Sequence, residues 1–410
     1  MTKLQFGGHL RKTLYTDEDI KHFENSKLIA KFIERKAAAS IKTAGAYKTA
    51  LLALSSFLRK QYGQAVDAFI EDMKNGKQDP YDVLSGFAAY LVNSRTKDQK
   101  VSANTVRQFV ILSKKFARVS GVKSINNDDF KELVTLPRKE QPIKEALEKK
   151  DVVEILNACK DIKLRTALLL LASTGGRSAE LFSLRVKDVN LEGGYPTVTF
   201  RKEYTKTRQA RTRPLTREAV LTLQLWLKTK YQPHRTTITD EKRKEKQEYV
   251  NPAIGPDDLI FAEWHKDGHQ PEPRFLADRF RISFGRLLGM IEKAKLEDNG
   301  RRRTITLHSF RRFTKTTISN QGYADYSEWM LGHGSSGIGQ TYFKQYQKDS
   351  LEIFRKIEPY LTFLDVSQLE AKGADQQTRL DQMQFELQRE REERAKLYEL
   401  LYKQGIIKKE

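Results

Sequence analysis

The segment LRTALLLLASTGGRSAEL, residues 164–181, changes from a helical pattern to two glycines followed directly by an arginine. Its first half is apolar nearly all round, so we predict a buried helix there. Gly175 and Gly176 allow the backbone to turn sharply. Such a turn would project Arg177 from the edge of the core instead of leaving it on a solvated face. Glu180 follows one helical turn later. It is a candidate to hydrogen-bond and orient a neighbouring side chain, and the alternative is that it is simply a surface charge.

The chain is strongly basic, with 74 Lys and Arg residues against 53 Asp and Glu residues and a formal net charge of +21. Residues 365–410 carry −1, so the preceding part carries +22. An excess of this size predicts a polyanionic partner.

Cys159 is the only cysteine, which excludes an intrachain disulfide, and no cluster has the spacing of a zinc site. The N-terminus lacks the apolar core of a signal peptide. The longest apolar stretch is far shorter than the ~20 residues that span a bilayer. We therefore expect a cytoplasmic protein without membrane contact.

The first part of the chain carries helical periodicity. We predict a loosely ordered polar N-terminal arm at residues 1–25 and a helical domain at residues 26–136, with Thr43 and Ser102 as helix caps. Two prolines then interrupt the pattern, which predicts an interdomain linker at residues 137–145.

The next part, residues 146–364, mixes helices with a short β-hairpin. Residues 196–201 alternate as a strand does, residues 212–216 are the returning strand, and Lys206 lies between them. Further helices are predicted at Lys150–Cys159, Lys163–Ala172, Arg177–Leu184, Glu218–Tyr231, Phe275–Lys293, Phe310–Gln321 and Ser327–Leu331. Residues 232–256 show no periodicity, and we interpret them as a surface insertion. The predicted fold class is mainly α with a small antiparallel β-hairpin or sheet.

The last part, residues 365–410, is predicted to be a helical tail. Apolar residues recur at a spacing of three to four between Leu380 and Leu401, with Glu390 and Arg394 in the middle. This pattern fits a short coiled coil and a single solvated helix equally well.

Six polar residues of this part of the chain have side chains that suit chemistry on a single kind of substrate, a phosphodiester. They are Arg177, Lys206, His308, Arg311, His333 and Tyr342. Arginine offers a planar, permanently charged fork that matches phosphate oxygens, imidazoles move protons near neutral pH, and a tyrosine can form a covalent intermediate when its attack is assisted. Together they indicate chemistry on a phosphodiester. Each residue alone is weak evidence, and Lys206 is selected from a basic cluster by its place near the turn.

The order and frames of these residues resemble the tyrosine recombinase (phage integrase) family. The resemblance runs from about Leu28 to Tyr346 and rests on four boxes: Thr-Gly-x-Arg-x-x-Glu-Leu at 174–181, a lysine eight residues before Pro214-Leu215, His-x-x-Arg at 308–311, and Leu-Gly-His at 331–333 with a tyrosine nine residues later. The helical domain at residues 26–136 is similar to the family's core-binding (SAM-like) DNA-clamping domain, and residues 146–364 to its catalytic domain.

The resemblance implies an enzyme that cuts and rejoins double-stranded DNA through a 3′-phosphotyrosyl intermediate. Tyr342 would attack, Arg177 and Arg311 would clamp the non-bridging oxygens, and Lys206 would protonate the leaving 5′-oxygen. His308 would be the acid–base partner of the nucleophile, and His333 would donate a hydrogen bond to the phosphate. No cofactor and no metal is required. Glu180, Arg201, Arg208 and Arg211 are predicted to support the site or contact DNA.

The chain departs from the family's pattern at three places. Arg312 replaces a histidine that many similar proteins have, Gly176 replaces a residue that is more often bulky and apolar, and Tyr346 competes with Tyr342 as the nucleophile. We favour Tyr342 because its distance from His333 is the family's.

The most consistent function is a site-specific recombinase or integrase of a mobile element, acting as a tetramer on paired DNA sites at the nucleoid, with accessory DNA-bending proteins as further partners. The alternatives are a chromosome-dimer-resolving recombinase, a type IB topoisomerase-like enzyme and a catalytically silent DNA-binding protein. The resemblance also implies that residues 347–364 dock on a neighbouring subunit.

Overall fold

The computed structural model of the chain contains two separate hydrophobic cores. The structure describes residues 15–93, 101–139, 146–192, 195–239, 245–265, 268–297, 303–332 and 347–364. Unit 1 comprises Met1–Ile143 with Glu297–Arg302, and unit 2 comprises Lys144–Leu296 with Arg303–Glu410. The boundary at residue 143 falls within residues 137–145, the predicted linker.

All regular elements in the described part of unit 1 are helices, as the periodicity predicts. They are α1 (Asp17–Asn25), α2 (Lys27–Ala39), α3 (Ile41–Tyr62), α4 (Val66–Lys74), α5 (Pro80–Asn93), α6 (Ala103–Val119) and α7 (Asn127–Leu133). Their apolar faces form one core, in which Phe32 packs edge-on against Tyr47 and Phe116 at ring-centroid distances of 4.9 and 5.3 Å. The Ser102 hydroxyl accepts a hydrogen bond from the backbone N–H of Thr105 and caps α6, which confirms that prediction.

The start of unit 1 differs from the prediction of a loosely ordered arm at residues 1–25. Helix α1 packs against α3, with Phe23 buried. Asp19 is also fully buried, and the Arg59 Nε donates a hydrogen bond to its carboxylate at 2.8 Å. The charged residues of this segment suggested a loose arm, but the ion pair allows one of them to be buried in a folded helix. The rest of the predicted arm, residues 1–14, lies outside the described residues.

The predicted cap of α3 is also wrong by three residues. The helix begins at Ile41, and the Ser40 hydroxyl accepts from the backbone N–H of Thr43 at 3.2 Å. Ser40 has the extended backbone that a capping residue adopts. Thr43 is therefore the partner of the cap instead of the cap itself.

Unit 2 places helices around a small antiparallel sheet. Its elements are α8 (Lys149–Ala158), α9 (Ile162–Thr174), α10 (Ser178–Leu181), β1 (Val189–Asn190), β2 (Thr197–Phe200), β3 (Arg211–Pro214), α11 (Arg217–Lys230), β4 (His234–Thr239), β5 (Glu245–Val250), α12 (Pro273–Met290), α13 (Leu307–Asn320), α14 (Ala324–Leu331) and α15 (Gln347–Ile357), with 3₁₀ turns at Val186–Asp188 and Glu358–Leu361. The sheet order is β1-β2-β3, and Val198 pairs with Arg213. The mainly helical fold with a small antiparallel sheet is confirmed.

The predicted helices of unit 2 are present, with one marked difference. The segment from Arg177 to Leu184 was predicted as a helix, but only Ser178–Leu181 is helical. Arg177 has an extended backbone in front of this single turn. The Glu180 carboxylate accepts from the backbone N–H of Arg177, which fixes where the turn begins.

Part of the predicted surface insertion at residues 232–256 forms two paired strands, which the sequence did not predict. Strands β4 and β5 form a hairpin in which His234 pairs with Val250 and Thr239 with Glu245. β4 contains the run Thr-Thr-Ile-Thr, whose β-branched side chains favour extended backbone. Because charged residues surround this run, no alternation of apolar and polar residues marks the strands in the sequence.

The last described helix and the 3₁₀ turn that follows it pack into the core of their own unit. Phe354, Ile357 and Leu361 are completely buried in unit 2. Their spacing of three and four residues lets all three face that core. Docking of residues 347–364 on a neighbouring subunit stays a prediction, because all of these contacts lie within one chain. The predicted helical tail at 365–410 lies outside the described residues.

Candidate active site

The turn between α9 and α10 positions Arg177. Gly175 ends α9 in the left-handed region with φ +61°, and a Cβ atom there would lie 3.0 Å from the side chain of Leu331. Both facts require glycine. Directly after this turn, the Arg177 Nη1 donates to the Glu180 Oε1 at 2.9 Å, and its backbone N–H donates to the Glu180 Oε2 at 2.7 Å. The Arg177 side chain is 26% exposed, so it can still meet a ligand.

Helix α13 brings Arg311 to the same turn. Arg311 is 2% exposed, and its Nη1 and Nη2 donate to the carbonyl oxygens of Gly175 and Leu331 at 2.5 and 2.7 Å. Burial, together with the charges of Arg177 and Arg211, lowers the pKa of Arg311 to about 9. His308 lies one turn earlier on α13 and is exposed. The structure therefore gathers Arg177 and Arg311 around one backbone turn.

Strand β3 contributes two more arginines. Arg211 makes a two-pronged ion pair with Glu180: its Nη1 lies 3.0 Å from Oε1, and its Nη2 donates to Oε2. Arg213 donates from Nε to the carbonyl oxygen of Met330 at 2.8 Å and from Nη2 to that of Trp329. The Arg213 guanidinium also stacks over the Trp329 ring at 3.9 Å. These bonds satisfy carbonyl groups at the C-terminus of α14, where positive charge is favourable.

The electrostatics of this cluster are dominated by positive charge. Burial alone would raise the pKa of Glu180, but hydrogen bonds and charge from Arg211 and Arg177 outweigh it, and the pKa lies below its ordinary value. Burial and the neighbouring Arg211 lower the pKa of Arg213 to about 9. Two guanidinium groups, those of Arg177 and Arg211, thus hydrogen-bond the Glu180 carboxylate, and the charges of Arg213 and Arg311 also interact with it. Such a cluster favours an anion.

Lys206 lies in the loop between β2 and β3, as predicted. Thr205 is buried, and its hydroxyl oxygen lies 3.1 and 2.9 Å from the carbonyl oxygens of Lys202 and Gln209, which folds the loop on itself. Lys206 and Arg208 are exposed on this loop. Within the described ranges no hydrogen bond reaches the Lys206 ammonium group, so the loop alone sets its position.

Two of the arginines predicted to support the site or contact DNA form ion pairs within the unit. Arg201 is paired with Asp188, with its Nε 3.0 Å from the carboxylate, and its Nη2 donates to the Ser183 carbonyl oxygen at 2.6 Å. Arg211 is buried on Glu180. Both side chains therefore hold the protein together, because their carboxylate partners lie in the same unit. Arg208 remains exposed.

His333, Tyr342 and the alternative nucleophile Tyr346 lie outside the described residues. The flanking residues are described: Gly332 ends α14 beside Arg211, and Gln347 begins α15. Tyr342 is ten residues from the first and five from the second, so chain length keeps it within about 36 and 18 Å of them. Both flanks belong to the unit that carries Arg177 and Arg311.

Arg213 and Phe200 were not predicted from the sequence as parts of the site. Arg213 bonds to the end of α14, and Phe200 packs beside Arg211. Phe200 is buried below the Gly175–Gly176 turn and lies 4.9 Å from the Arg211 guanidinium. The period of two on β3 places Arg211 and Arg213 on one face. That face would have been identified as the inner one if Phe200 and Val198 had been recognised as the buried residues of the paired strand.

Groups that would bind a metal are absent from the described ranges: no three or more His, Cys, Asp or Glu side chains come together there. Within the same ranges, no helix has both the length and the apolar character of a bilayer-spanning segment.

Comparison with known proteins places this cluster in a family. The sequence model of the phage integrase family matches residues 145–349, half of the chain and almost all of unit 2 up to α15. The chain belongs to the phage integrase family.

The chain is also similar to one curated protein and to two solved structures. The tyrosine recombinase XerA of Saccharolobus solfataricus is 28% identical over 179 residues, which is 42% of this chain. The chain spans 57% of the length of this curated relative. A lambda integrase tetramer bound to a Holliday junction has 16% identity and a TM-score of 0.50, covering 81% of this chain and 84% of that one. XerH bound to palindromic difH in a post-cleavage complex has 16% identity and a TM-score of 0.49, covering 83% and 89%.

Proposed function

We propose that this phage integrase family member is a site-specific recombinase that cuts and rejoins double-stranded DNA through a 3′-phosphotyrosyl intermediate. The observation that carries the proposal is the convergence of Arg177 and Arg311 on one turn, where the Arg311 Nη1 donates to the carbonyl oxygen two residues before Arg177. Surplus positive charge in a partly buried cluster stabilises the extra charge of a phosphodiester transition state.

Each residue has a role that fits its chemistry. Arg177 and Arg311 would bind the non-bridging oxygens of the scissile phosphate. Tyr342 would attack the phosphorus, with His308 accepting its proton, since a free phenol has a pKa near ~10 and needs assistance at neutral pH. Lys206 would protonate the departing 5′-oxygen, and His333 would donate a hydrogen bond to the phosphate. The covalent bond keeps the phosphodiester's energy for rejoining.

The assembly is part of the proposal. The net charge of +21 supports binding along DNA, with the helical unit 1 as the second half of a clamp. The lambda integrase of the matching structure is a tetramer on a Holliday junction, and we propose four copies on two duplexes here. Mobile-element integration and excision at the nucleoid, with accessory DNA-bending proteins, remains the role that we favour.

Covalent capture tests the chemistry. Duplexes are first selected from a random library by binding, and nicked suicide substrates are then built from them. Wild-type protein should form a covalent adduct that survives a denaturing gel. Tyr342→Phe should abolish the adduct and retain binding, whereas Tyr346→Phe, the matched control, should leave it intact. Arg177→Ala should slow adduct formation on the order of 10²–10³-fold, the scale for losing one transition-state donor.

Several outcomes would contradict the proposal. Binding without any adduct would indicate a silent DNA-binding protein, and an adduct that persists in Tyr342→Phe but disappears in Tyr346→Phe would move the nucleophile. A plasmid with two selected sites separates a recombinase from a topoisomerase-like enzyme: a recombinase exchanges the sites, whereas a topoisomerase only relaxes the supercoils.

A further inference from the structure

Arg211 is buried too deeply to serve as an ordinary DNA contact. It is 8% exposed, its guanidinium lies 4.9 Å from the Phe200 ring, and both of its terminal nitrogens donate to Glu180. A buried guanidinium that makes two parallel bonds to one carboxylate has a fixed orientation. The role of Arg211 must therefore be carried through Glu180 or through the residues packed against it.

Glu180 is shared between Arg211 and Arg177. The Oε1 atom accepts from the Nη1 of each arginine, at 2.9 Å from Arg177 and 3.0 Å from Arg211. The Oε2 atom accepts from the Arg177 backbone at 2.7 Å and from the Arg211 Nη2. Glu180 itself is fully buried. Loss of Arg211 would leave Arg177 as the one arginine, among the described residues, that hydrogen-bonds the Glu180 carboxylate, and a buried charge that loses one such partner attracts the other more strongly.

Arg211 also touches the end of α14. A Cβ atom on Gly332 would lie 2.9 Å from both the Cδ and the Nη1 of Arg211, and Gly332 has a left-handed φ of +64°. Gly332 is directly followed by His333. The Arg211 side chain therefore lies between the Glu180 carboxylate and the turn from which the His333 segment departs.

We propose that Arg211 is a positioning residue, which neutralises part of the Glu180 charge and so leaves the Arg177 guanidinium to the scissile phosphate. This inference rests on the proposed function. Without Arg211, the Glu180 carboxylate would compete with the phosphate oxygen for Arg177. The defect would appear in the cleavage step and only weakly in DNA binding, because many other cations contact the DNA backbone.

The test compares two suicide substrates, one with an ordinary scissile phosphate and one with a methylphosphonate, in which a neutral methyl group replaces one charged oxygen. Arg211→Met should slow adduct formation on the ordinary substrate on the order of 10²-fold, with DNA affinity changed by less than about threefold. On the methylphosphonate, the ratio of the wild-type to the Arg211→Met rate of adduct formation should be at least about tenfold smaller. The reason is that this substrate has one charged oxygen fewer for Arg177 to neutralise. Arg177→Ala shows how far this ratio falls when the arginine itself is removed. The rate of Arg211→Lys on the ordinary substrate should lie between those of wild type and Arg211→Met.

Two further variants separate positioning from general stability. Arg185→Met removes a partly buried arginine that donates to the carbonyl oxygen of Asp257 and does not touch Glu180. Its effect should be the same on both substrates. The double variant Arg177→Ala/Arg211→Met should cleave no more slowly than Arg177→Ala alone, since residues acting through one another are not additive. All rates are measured well below the lowest melting temperature of the set.

The outcomes are distinct. Wild-type rates in Arg211→Met, equal deficits on both substrates, or additive losses in the double variant would overturn this inference alone. No adduct from the wild-type protein on either substrate would overturn the proposed function and, with it, the role of Arg211.

Discussion

At the scale of the residue, Gly176 links the arginine turn to the sheet. A Cβ atom at this position would lie 2.8 Å from the Cζ of Phe200 and 3.2 Å from the Thr174 hydroxyl oxygen. Proteins that the chain resembles more often have a bulky apolar residue here, and in this chain the Phe200 ring fills that space. Glycine and phenylalanine at these two positions therefore depend on each other.

This dependence predicts a measurable coupling. Gly176→Ala should lower the free energy of unfolding of unit 2 by about 1–2 kcal/mol, because the new methyl group overlaps a packed ring. In a Phe200→Leu background, which removes the overlapping end of the ring, the same change should cost less than about half as much. Thermal unfolding of the four proteins of the cycle measures the coupling.

A second glycine controls for the substitution itself. Gly289 lies in α12 with nothing within 4 Å of its virtual Cβ, so Gly289→Ala should stabilise by about 0.5–1 kcal/mol. Equal costs of Gly176→Ala with and without Phe200 would show that the ring does not decide this position.

At the scale of the element, regular patterns were predicted well and long-range partners were not. Helix α9 and the β2–β3 hairpin follow from apolar periodicity and from strand alternation, which are local properties. Arg211 was predicted to support the site or contact DNA, but its partner was not predicted, because Glu180 lies 31 residues away and meets it only in the folded unit. Arg177, Lys206, His308 and Arg311 were predicted as site residues because their spacing resembles that of a family.

Residues 358–364 are attached to the start of α11 by long-range contacts that no local sequence pattern indicates. Glu218 is fully buried, and its carboxylate accepts from the backbone N–H groups of Phe363 and Leu364 at 2.8–3.1 Å. Glu358 accepts from the Tyr195 hydroxyl at 2.5 Å and from the backbone N–H of Arg217 at 2.8 Å. Two glutamates thus hold residues 358–364 against unit 2.

The Glu218 carboxylate makes this attachment sensitive to pH. Burial raises its pKa to about 7, although hydrogen bonds from Leu364 and Phe363 oppose the increase. The ordinary value is near ~4.3. Between these two values the folded protein holds a proton that the unfolded chain has released. The contribution of Glu218 to stability is therefore largest at low pH and falls as the pH rises to about 7.

Glu218→Gln removes this titration. The unfolding free energy of the variant minus that of wild type should become more positive between pH 5 and pH 8, by at most about 3 kcal/mol. Denaturant unfolding across this range measures the difference. Glu352→Gln, which alters an exposed side chain of α15, controls for the lost charge. A difference for Glu218→Gln that is flat with pH would contradict the assignment.

At the scale of the whole molecule, the chain has two cores that share no buried cluster among the described residues. Phe116 is completely buried in unit 1 and Phe284 is 2% exposed in unit 2. Units with separate cores tend to unfold separately, so a single two-state transition is not expected. The predicted linker and the boundary at residue 143 agree with such independence.

Calorimetry of matched core variants tests this independence. Phe116→Ala should destabilise unit 1 by about 3–5 kcal/mol, and Phe284→Ala should destabilise unit 2 by a similar amount, since each leaves a cavity in a packed core. Each variant should lower one thermal transition and leave the temperature of the other within about 1 °C, because only one core loses contacts. A single transition that shifts as a whole in both variants would mean that the units unfold as one body.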